Sequence, residues 1–416
     1  MIASDMSRPA WDDDPVVSGW PGLPVLERDG TADVCVVGLG GSGLAAVADL
    51  LDRGLDVVGI DAGRVAAGAA GRNGGFLLGG PATFLHTALA TWGRCALDLY
   101  RATLAEIDSL EGLLGSDVVR RTGSIRLAGV PGAPIELSDS EDCDALAQCL
   151  RENDFAVEQY SGELGRGIFL PDDAVMNPAR RALGLASILA GRARLYEHTP
   201  ATSIGPGAVT TPWGVIRCGL VLVAVDGRLE QVLPQLDGRV RTARLQMLAT
   251  SPVTPGRLPC PVYGRWGYDY AQQDASGRLY VGGGRDLFAE DEWTPSGEPT
   301  AQVQRYIESV ATSFAGEPVS VDARWAASVG FTTDGRPLCT FVDDTVIAFG
   351  GYNGTGNLVG PVTARAAVAL GLDTIAVPQY LSSRRMAVWT HGRRTGTHRG
   401  RSLHRHQGST LARNGS

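Results

Sequence analysis

The sequence predicts an α/β protein with a parallel βαβ unit near its start and a second, mixed and largely antiparallel sheet. Asp33–Val37 and Asp56–Ile60 are short apolar runs, and Ser42–Arg53 between them carries apolar residues on one helical face. Val240–Pro252 and Tyr263–Gly284 alternate between apolar and polar residues, which favours antiparallel strands. The length of 416 residues favours two domains rather than one core.

Glycines between the first strand and the helix indicate a bound dinucleotide, so the unit is predicted to be Rossmann-like. Gly38, Gly40 and Gly43 form the pattern GxGxxG, and Asp61 closes the second strand. The first glycine permits a tight turn, the second lets the backbone approach a pyrophosphate, and the third lets helix and strand pack closely. The helix N-terminus offers unpaired N–H groups to the phosphates. Asp61 is expected to accept hydrogen bonds from a ribose diol.

A second glycine-dense segment, Gly68–Gly75 (GAAGRNGG), favours FAD over NAD as the dinucleotide. An NAD domain normally continues into a plain helix after Asp61, whereas a longer cofactor needs a loop whose backbone comes close to it. The cofactor contacts expected from these two segments are Gly38, Gly40, Gly41, Ser42, Gly43, Asp61, Ala62, Gly63, Arg64, Gly71, Arg72, Asn73, Gly74 and Gly75.

The rest of the chain alternates helical and strand patterns. Predicted helices are Ala88–Leu114, Asp142–Asn153, Asn177–Gly191, Thr300–Phe314 and Asn357–Gly371. Predicted strands are Gly123–Leu127, Ala156–Tyr160, Ala193–His198 (returning to the first sheet), Val215–Arg217, Gly219–Val225 and Asp344–Ala348. Val319–Val329 is expected to return the chain to the body of the protein. Asp226-Gly227 and Ser276-Gly277 are predicted turns.

Composition limits the function. Ahead of Arg384, 29 arginines face 45 acidic residues, a balance that disfavours nucleic acid or anionic membrane and mildly favours a cationic substrate. No apolar run reaches eighteen residues, and the N-terminus lacks the pattern of a secretory signal. Seven scattered cysteines indicate reduced thiols in a cytoplasm. The six histidines suggest neither a metal cluster nor a Ser/His/Asp set.

Several segments are similar to the D-amino-acid oxidase superfamily of FAD enzymes, in the branch of glycine oxidase, sarcosine oxidase and γ-glutamylputrescine oxidase. The first is AGRVAAGAAGRNGGF, which begins at Ala62. The others are ALGLASILAGRARLYEHTPATSI, RTARLQMLATSPV, YDYAQQDASGRLYVGGGRD, and GFTTDGRPLC followed by FGGYNGTG. Together they extend over residues 32–371, and the resemblance is above all to the γ-glutamylputrescine oxidase type.

The resemblance implies a Rossmann-like FAD-binding domain of the GR2 type, interleaved with an α+β substrate domain. The FAD-binding domain is expected to comprise residues 1–80, 160–238 and 325–383, and the substrate domain residues 81–159 and 239–324. Residues 384–416 hold eight arginines, four histidines and no acid, and are expected to form a basic disordered tail.

A further glycine-rich loop, Gly350–Gly356 (GGYNGTG), precedes the last predicted helix. In the family one helix N-terminus serves the diphosphate, and the other points at the flavin end, where negative charge grows on reduction. The cofactor contacts implied by the resemblance are Ala201, Ala224, Gly227, Gly351, Asn353, Gly354, Thr355 and Gly356. Asp226 has a doubtful role, because a carboxylate beside a diphosphate is repulsive unless it faces solvent or a ribose hydroxyl.

Amine oxidation by a flavin starts from the neutral amine. At a pKa near ~10, that form lies about 4 kcal/mol above the ammonium at pH 7. Burial against aromatic walls lowers this pKa, and aromatic rings also attract an ammonium group. Candidate substrate-side residues are Tyr268, Tyr270 and Tyr352, with Trp266 as a further wall, Gln272 as a polar contact and Arg285 as a carboxylate ligand. The alternatives are core aromatics on strands and an Arg285 paired with Asp286.

At several positions this sequence lacks the charged or covalently attached residues of its relatives, which limits how it can bind its substrate and its flavin. Glycine-oxidase-type relatives place a carboxylate-binding arginine where this chain has Val329, and sarcosine oxidases place a lysine where it has Leu358. The chain contains no lysine, so the lysine that activates oxygen in sarcosine oxidases is missing. Residues 326–333 contain no cysteine for covalent attachment, so we expect non-covalent FAD.

The resemblance therefore implies an FAD-dependent amine oxidase or dehydrogenase. We expect hydride transfer from the C–N bond of an amine or N-substituted amino acid to flavin N5, giving an imine that hydrolyses. Oxygen or another acceptor would reoxidise the flavin. The alternatives are an unusual N–C or N–N substrate of specialised metabolism, an NAD(P)-dependent dehydrogenase, and a flavin-binding protein that captures a partner through its tail.

Overall fold

Two eight-stranded sheets and one three-stranded sheet organise the computed structural model, which describes residues 8–133, 136–372 and 377–381. The strands are β1 (Gly30–Val37), β2 (Val57–Ile60), β3 (Phe76–Leu77), β4 (Val119–Arg120), β5 (Ser124–Leu127), β6 (Glu158–Gly162), β7 (Gly165–Leu170), β8 (Ala174–Met176), β9 (Arg194–Tyr196), β10 (Ser203–Gly205), β11 (Ala208–Thr211), β12 (Gly214–Val223), β13 (Val240–Thr250), β14 (Val262–Gly264), β15 (Asp269–Gln273), β16 (Leu279–Gly282), β17 (Val321–Thr332), β18 (Leu338–Asp343) and β19 (Val346–Gly350). The α-helices are α1 (Pro15–Ser18), α2 (Gly41–Asp52), α3 (Ala69–Arg72), α4 (Leu85–Trp92), α5 (Cys95–Leu114), α6 (Leu137–Glu152), α7 (Pro178–Ala190), α8 (Leu229–Val232), α9 (Ala289–Glu292), α10 (Ala301–Ala315) and α11 (Gly356–Gly371).

The first sheet contains the predicted βαβ unit. Its strands run in the order β10-β11-β12-β1-β2-β9, and β19 pairs with the carboxyl half of β12. Strands β12, β1, β2, β9 and β19 are parallel, which confirms the β1–α2–β2 unit and the returning strand β9. Helices α2 and α11 each follow a parallel strand, so both begin at the carboxyl edge of this sheet.

Both faces of this sheet are buried. Val34 and Val36 on β1 pack with Leu44 of α2 in one hydrophobic cluster, whereas Cys35 and Val37 belong to a cluster on the opposite face. This alternation is the expected consequence of a parallel strand covered on two sides. It explains why β1 ends in a continuous apolar run in the sequence.

The second sheet has the order β17-β13-β16-β15-β14-β5-β7-β6. Every neighbouring pair is antiparallel except β14 and β5, so the predicted mixed and largely antiparallel character is confirmed. The two predicted strands Val215–Arg217 and Gly219–Val225, in contrast, form the single strand β12 of the first sheet.

Some predicted elements were wrong or missing. The predicted helix Ala88–Leu114 is two helices, α4 and α5, because Gly93 takes φ 72° and ends the first one. Strands β3, β4, β7, β8, β10, β11 and β18 were not predicted. All of them except β7 and β18 have only two to four residues, which is too short for a clear alternating pattern. None of the helices in the described ranges is long and apolar enough to cross a membrane. The tail at 384–416 lies outside the described residues, and the proposed domain boundaries remain a prediction.

Candidate active site

Helices α2 and α11 begin side by side at the carboxyl edge of the first sheet. A Cβ atom on Gly360 of α11 would overlap the Ser42 hydroxyl of α2, which shows how closely the first turns pack. Neither helix has a side-chain cap in the part of the chain that the structure describes. Their first N–H groups are therefore available to an anionic ligand.

The first glycine loop has the geometry that its sequence predicts. Gly38 takes φ 96°, and a Cβ there would lie 2.9 Å from the carbonyl oxygen of Ala224. A Cβ on Gly43 would overlap the carbonyl oxygen of Gly38. Gly40 is different, because a Cβ there would meet only Ala70, at 3.5 Å. The loop thus leaves an open approach at Gly40 and is tightly packed beneath it.

A buried arginine supports the first turn of α2. Arg181 is 1% exposed, and its Nη2 donates to the carbonyl oxygen of Asn357 at 3.0 Å. Its guanidinium fills the space where a side chain on Gly41 would lie. Burial lowers the pKa of Arg181 to about 10, so it remains charged at neutral pH. This cation adds to the positive potential at the helix N-terminus.

Asp61 lies at the end of β2, as predicted. Its carboxylate accepts the backbone N–H of Leu39 at 2.8 Å and that of Gly63 at 2.9 Å. Burial raises its pKa above the usual value. Arg64 instead turns toward Asp12, 3.4 Å away. Asp61 thus fixes the first glycine loop and keeps lone pairs for a ribose.

The second glycine loop is held by Asp226, the residue whose role the sequence leaves open. The Asp226 carboxylate accepts the N–H of Gly330 and that of Tyr352, both at 3.0 Å. Burial raises the pKa of Asp226 to about 6. The carboxylate therefore faces neither solvent nor a free hydroxyl among the described residues, but joins β17 to the loop after β19.

Two asparagine side chains connect the glycine loops. Asn73 donates to Asn357 at 3.1 Å, and Asn357 donates back to Asn73 at 2.9 Å. Asn357 also donates to the carbonyl oxygen of Phe76, and Asn73 accepts the N–H of Gly75 at 2.7 Å. The segment GAAGRNGG is thereby fixed to the start of α11, although 284 residues separate the two asparagines.

A cleft of about 360 Å³ is lined by strands of the second sheet and by these loops. Its aromatic wall consists of Phe76, Tyr263 and Tyr270, with ring centroids 5.0 to 5.7 Å apart. Burial raises the pKa values of both tyrosines, so they are neutral at physiological pH. A Cβ on Gly282 would overlap the ring of Tyr270, so this glycine makes room for the wall.

The structure brings many predicted residues to this cleft. Those that line it are Arg72, Asn73, Gly74, Tyr268, Tyr270, Arg285, Asn353, Gly354 and Thr355, together with Trp266. The remaining cofactor candidates, absent from the cleft lining that the structure describes, are Gly38, Gly40, Gly41, Ser42, Gly43, Asp61, Ala62, Gly63, Arg64, Gly71, Gly75, Ala201, Ala224, Gly227, Gly351 and Gly356. Val329 and Leu358, where relatives carry cations, both line it as apolar side chains.

Two predicted substrate-side residues lie elsewhere. Tyr352 is 3% exposed and packs in a hydrophobic cluster with Leu99, Val359 and Val362, so it is not a wall of the cleft. Gln272 is also buried, and its amide donates to the carbonyl oxygen of Gly74. Its position supports the glycine loop rather than a substrate. The sequence placed both residues in the right region but did not predict which way their side chains point.

Arg285 is not paired with Asp286. Asp286 forms a bidentate ion pair with Arg265 at 2.9 and 3.0 Å. The Arg285 guanidinium carbon lies 4.4 Å from the ring centroid of Phe331 and within 6 Å of two further rings. It has no hydrogen bond or ion pair to any residue in the described ranges. The cleft therefore presents an arginine held by aromatic rings and free to bind an anion.

The sequence missed other residues of the cleft. Arg126 on β5 lines it, and its guanidinium carbon lies 4.2 Å from the ring centroid of Phe84. Glu292 also lines it, but this carboxylate is bound by Arg244 and by the amide of Gln246, so its charge is balanced. Arg126 is the single charged residue of the otherwise apolar strand GSIRL, and this feature of the sequence could have indicated a functional side chain. The cleft is thus cationic although the protein body is acidic.

These features fit an FAD molecule. The diphosphate would lie at the N-terminus of α2, above Arg181, where the glycines leave room for it. Asp61 would hold the ribose, and the loop from Asn353 with the start of α11 would hold the flavin end. Arg72 supports this fit, because its buried Nε has no hydrogen-bond partner among the described residues.

Comparisons with known proteins agree with this geometry. A family model described as FAD dependent oxidoreductase (DAO) matches residues 33–370. The chain is 26% identical over 380 residues to a probable oxidoreductase OrdL of Rhizobium meliloti (strain 1021), covering 85% of this chain and 86% of that protein. It is 25% identical over 378 residues to the gamma-glutamylputrescine oxidoreductase of Escherichia coli (strain K12), covering 80% of this chain and 81% of that protein. The crystal structure of glycine oxidase from Geobacillus kaustophilus has the same fold, with a TM-score of 0.69, 18% identity, and coverage of 86% of this chain and 100% of that one.

Proposed function

This chain belongs to the DAO family of FAD-dependent oxidoreductases, and from that premise we propose that it oxidises the C–N bond of an amine that carries a carboxylate. The observation that carries the proposal is the unpaired Arg285 guanidinium in an aromatic cleft. An amine without an acidic group would leave this cation without a partner. An amino acid or N-substituted amino acid would bind it through a charge-assisted hydrogen bond.

The position of Arg285 supports this substrate class. The resemblance implies a carboxylate-binding arginine at the place of Val329 in glycine-oxidase-type relatives. Val329 and Phe331 are both on β17 and both line the cleft. The Arg285 guanidinium lies over Phe331, so a neighbouring segment supplies a cation beside the position that the valine leaves neutral. The cationic lining of the cleft favours an acidic group on the substrate, whereas the acidic composition of the whole chain favours a cationic substrate.

The protein's own groups prepare the amine. Bound FAD supplies the acceptor for a hydride, so that the C–N single bond becomes an imine, which water hydrolyses. Phe76, Tyr263 and Tyr270 exclude water from the amine and lower its pKa, which offsets part of the cost of about 4 kcal/mol for the neutral form. Arg285 orients the substrate through its carboxylate. The N-terminus of α11 offers N–H groups where negative charge develops.

We also propose that the FAD is non-covalent and that the protein is cytoplasmic. No cysteine is among the residues that line the cleft, and Cys339 is buried in a hydrophobic cluster. All seven cysteines are free thiols. The absence of lysine from the sequence supports slow reoxidation by oxygen, and therefore a different physiological acceptor.

The test is an anaerobic screen of the purified yellow holoenzyme, with bleaching of the flavin absorbance as the readout. We expect N-alkyl amino acids or α-amino acids to reduce the flavin faster than the matched amines without a carboxylate. Arg285→Gln should raise the KM for these substrates about tenfold or more, since one charge-assisted contact is lost. Arg285→Lys is the matched control that keeps the charge. Equal reduction by amines with and without a carboxylate would refute the proposal.

A further inference from the structure

Arg126 is a second guanidinium in the cleft that no acceptor satisfies. Among the described residues, its buried Nε has no hydrogen-bond partner and its side chain has no ion pair. It lies over the ring of Phe84, which is itself buried. An Nε–H group that has lost water without gaining an acceptor is unfavourable, so this position favours an anionic ligand.

The carboxylates near Arg126 accept other donors, and none of them forms an ion pair with Arg126 among the described residues. Asp173 accepts the hydroxyl of Ser124 at 2.6 Å and the N–H of Gly79 at 2.8 Å. Asp142 accepts the indole N–H of Trp266 at 2.6 Å and faces His86 at 3.3 Å.

Asp139, a third acidic side chain near this arginine, accepts the N–H of Gly129 at 2.6 Å through Oδ2, whereas its buried Oδ1 has no hydrogen-bond partner among the described residues. The charges of Asp139 and Asp173 balance part of the Arg126 charge from a distance. None of them fills its N–H groups.

Arg126 and Arg285 lie at different places along the second sheet. Arg126 is on β5, and Arg285 follows β16, with β14 and β15 between those two strands. Three interstrand steps separate β5 from β16, or roughly 14 Å. On neighbouring strands, Arg126 of β5 pairs with Tyr263 of β14, and Tyr263 pairs with Tyr270 of β15. The aromatic wall therefore lies between the two cations.

We propose that Arg126 and Arg285 form two separate anion subsites, so that the substrate is an N-substituted amino acid whose N-substituent ends in a second acidic group. The amino-acid carboxylate binds Arg285, the second acid binds Arg126, and the secondary amine lies over the aromatic wall between them. This assignment rests on the proposed function for the identity of the reacting group. The two subsites themselves rest on the arginines alone.

The subsites are tested on the holoenzyme with unreactive acids. Glutarate, adipate and suberate are titrated against pentanoate, hexanoate and octanoate, and Kd is read from the perturbation of the flavin absorbance. At the best chain length we expect the diacid to bind about tenfold or more tightly than the matched monoacid. Arg126→Gln should abolish this preference and leave the monoacid Kd unchanged, whereas Arg285→Gln should weaken the binding of both. Arg126→Lys should keep part of the preference, and it serves as the second variant if the glutamine protein does not fold.

The control variant is Arg101→Gln, since Arg101 also lies over an aromatic ring but outside the cleft lining. It should keep the full diacid preference. Equal Kd values for mono- and diacids in the wild type, or a diacid preference that survives in Arg126→Gln, would overturn the proposal.

Reduction of the flavin by amine substrates then separates the proposal of amine oxidation from the proposal of two anion subsites. If no amine bleaches the flavin but the diacid preference depends on Arg126, amine oxidation is wrong and the subsites stand. If N-alkyl amino acids bleach it with no preference for a second acid, the subsite is wrong and the oxidation stands.

Discussion

Replacing the buried carboxyl of Asp226 by an amide should change how the stability of the protein depends on pH. Burial raises the pKa of Asp226 from 3.8 to about 6. Between those two pH values the native state therefore keeps a proton that the unfolded chain has lost, so this group's contribution to stability falls as pH rises. About two pKa units correspond to about 3 kcal/mol. The amide of Asp226→Asn does not titrate, so the variant lacks this pH-dependent loss of stability.

The measurement is the free energy of unfolding of the flavin-saturated wild type and Asp226→Asn at several values between pH 4 and pH 7, with reversibility checked by refolding. The amide also loses one of the two accepted N–H groups, which adds a constant offset of about 1–3 kcal/mol. The wild-type stability, taken relative to the variant, should fall by about 2 kcal/mol from pH 4 to pH 7, since part of the total change already lies below pH 4. Asp173→Asn, at the other buried carboxyl with a pKa of about 6, should repeat the trend. A difference that is constant with pH, or that rises with it, would refute the reasoning.

Two glycine substitutions test the cofactor and substrate sides separately. Gly43→Ala should abolish FAD binding, since the added methyl group overlaps the carbonyl oxygen of Gly38. The control is Gly68→Ala, which should retain FAD because no atom lies within 4 Å of the added Cβ. The measurement is the flavin content of the purified proteins. Gly282→Ala should displace the ring of Tyr270, so we expect kcat/KM to fall about tenfold or more while the flavin content stays at the wild-type level. A fully active Gly282→Ala enzyme would show that this ring is not part of the substrate wall.

The sequence predicted the parts of the fold that depend on local pattern. The βαβ unit with Gly38, Gly43 and Asp61 follows from apolar runs and obligatory glycines, and the structure confirms this unit. The break between α4 and α5 was missed, because Gly93 is one glycine within an otherwise continuous amphipathic pattern.

The sequence predicted the glycines that backbone geometry requires and several cleft side chains, among them Tyr270 and Arg285, but not the contacts between distant segments. Asp226 illustrates the limit, since its partners are backbone N–H groups of Gly330 and Tyr352, more than a hundred residues away in the chain. Arg126 was missed for the same reason, because its place in the cleft depends on which strand lies beside β14. Tyr352 shows that a side chain inside a glycine loop can point to the core rather than to the cleft.

The Asp226 carboxylate has a consequence for how such an enzyme changes its substrate during evolution. One Asp226 oxygen binds Gly330, which lies between Val329 and Phe331 on the strand that borders the cleft. The other Asp226 oxygen binds Tyr352 in the loop that we propose holds the flavin end. A shift in the register of that strand would also unseat the loop. Exchanges of side chains at 329 and 331 leave these backbone bonds intact. New specificities are therefore accessible through single substitutions on a fixed main chain, whereas insertions in this strand would cost the enzyme its cofactor.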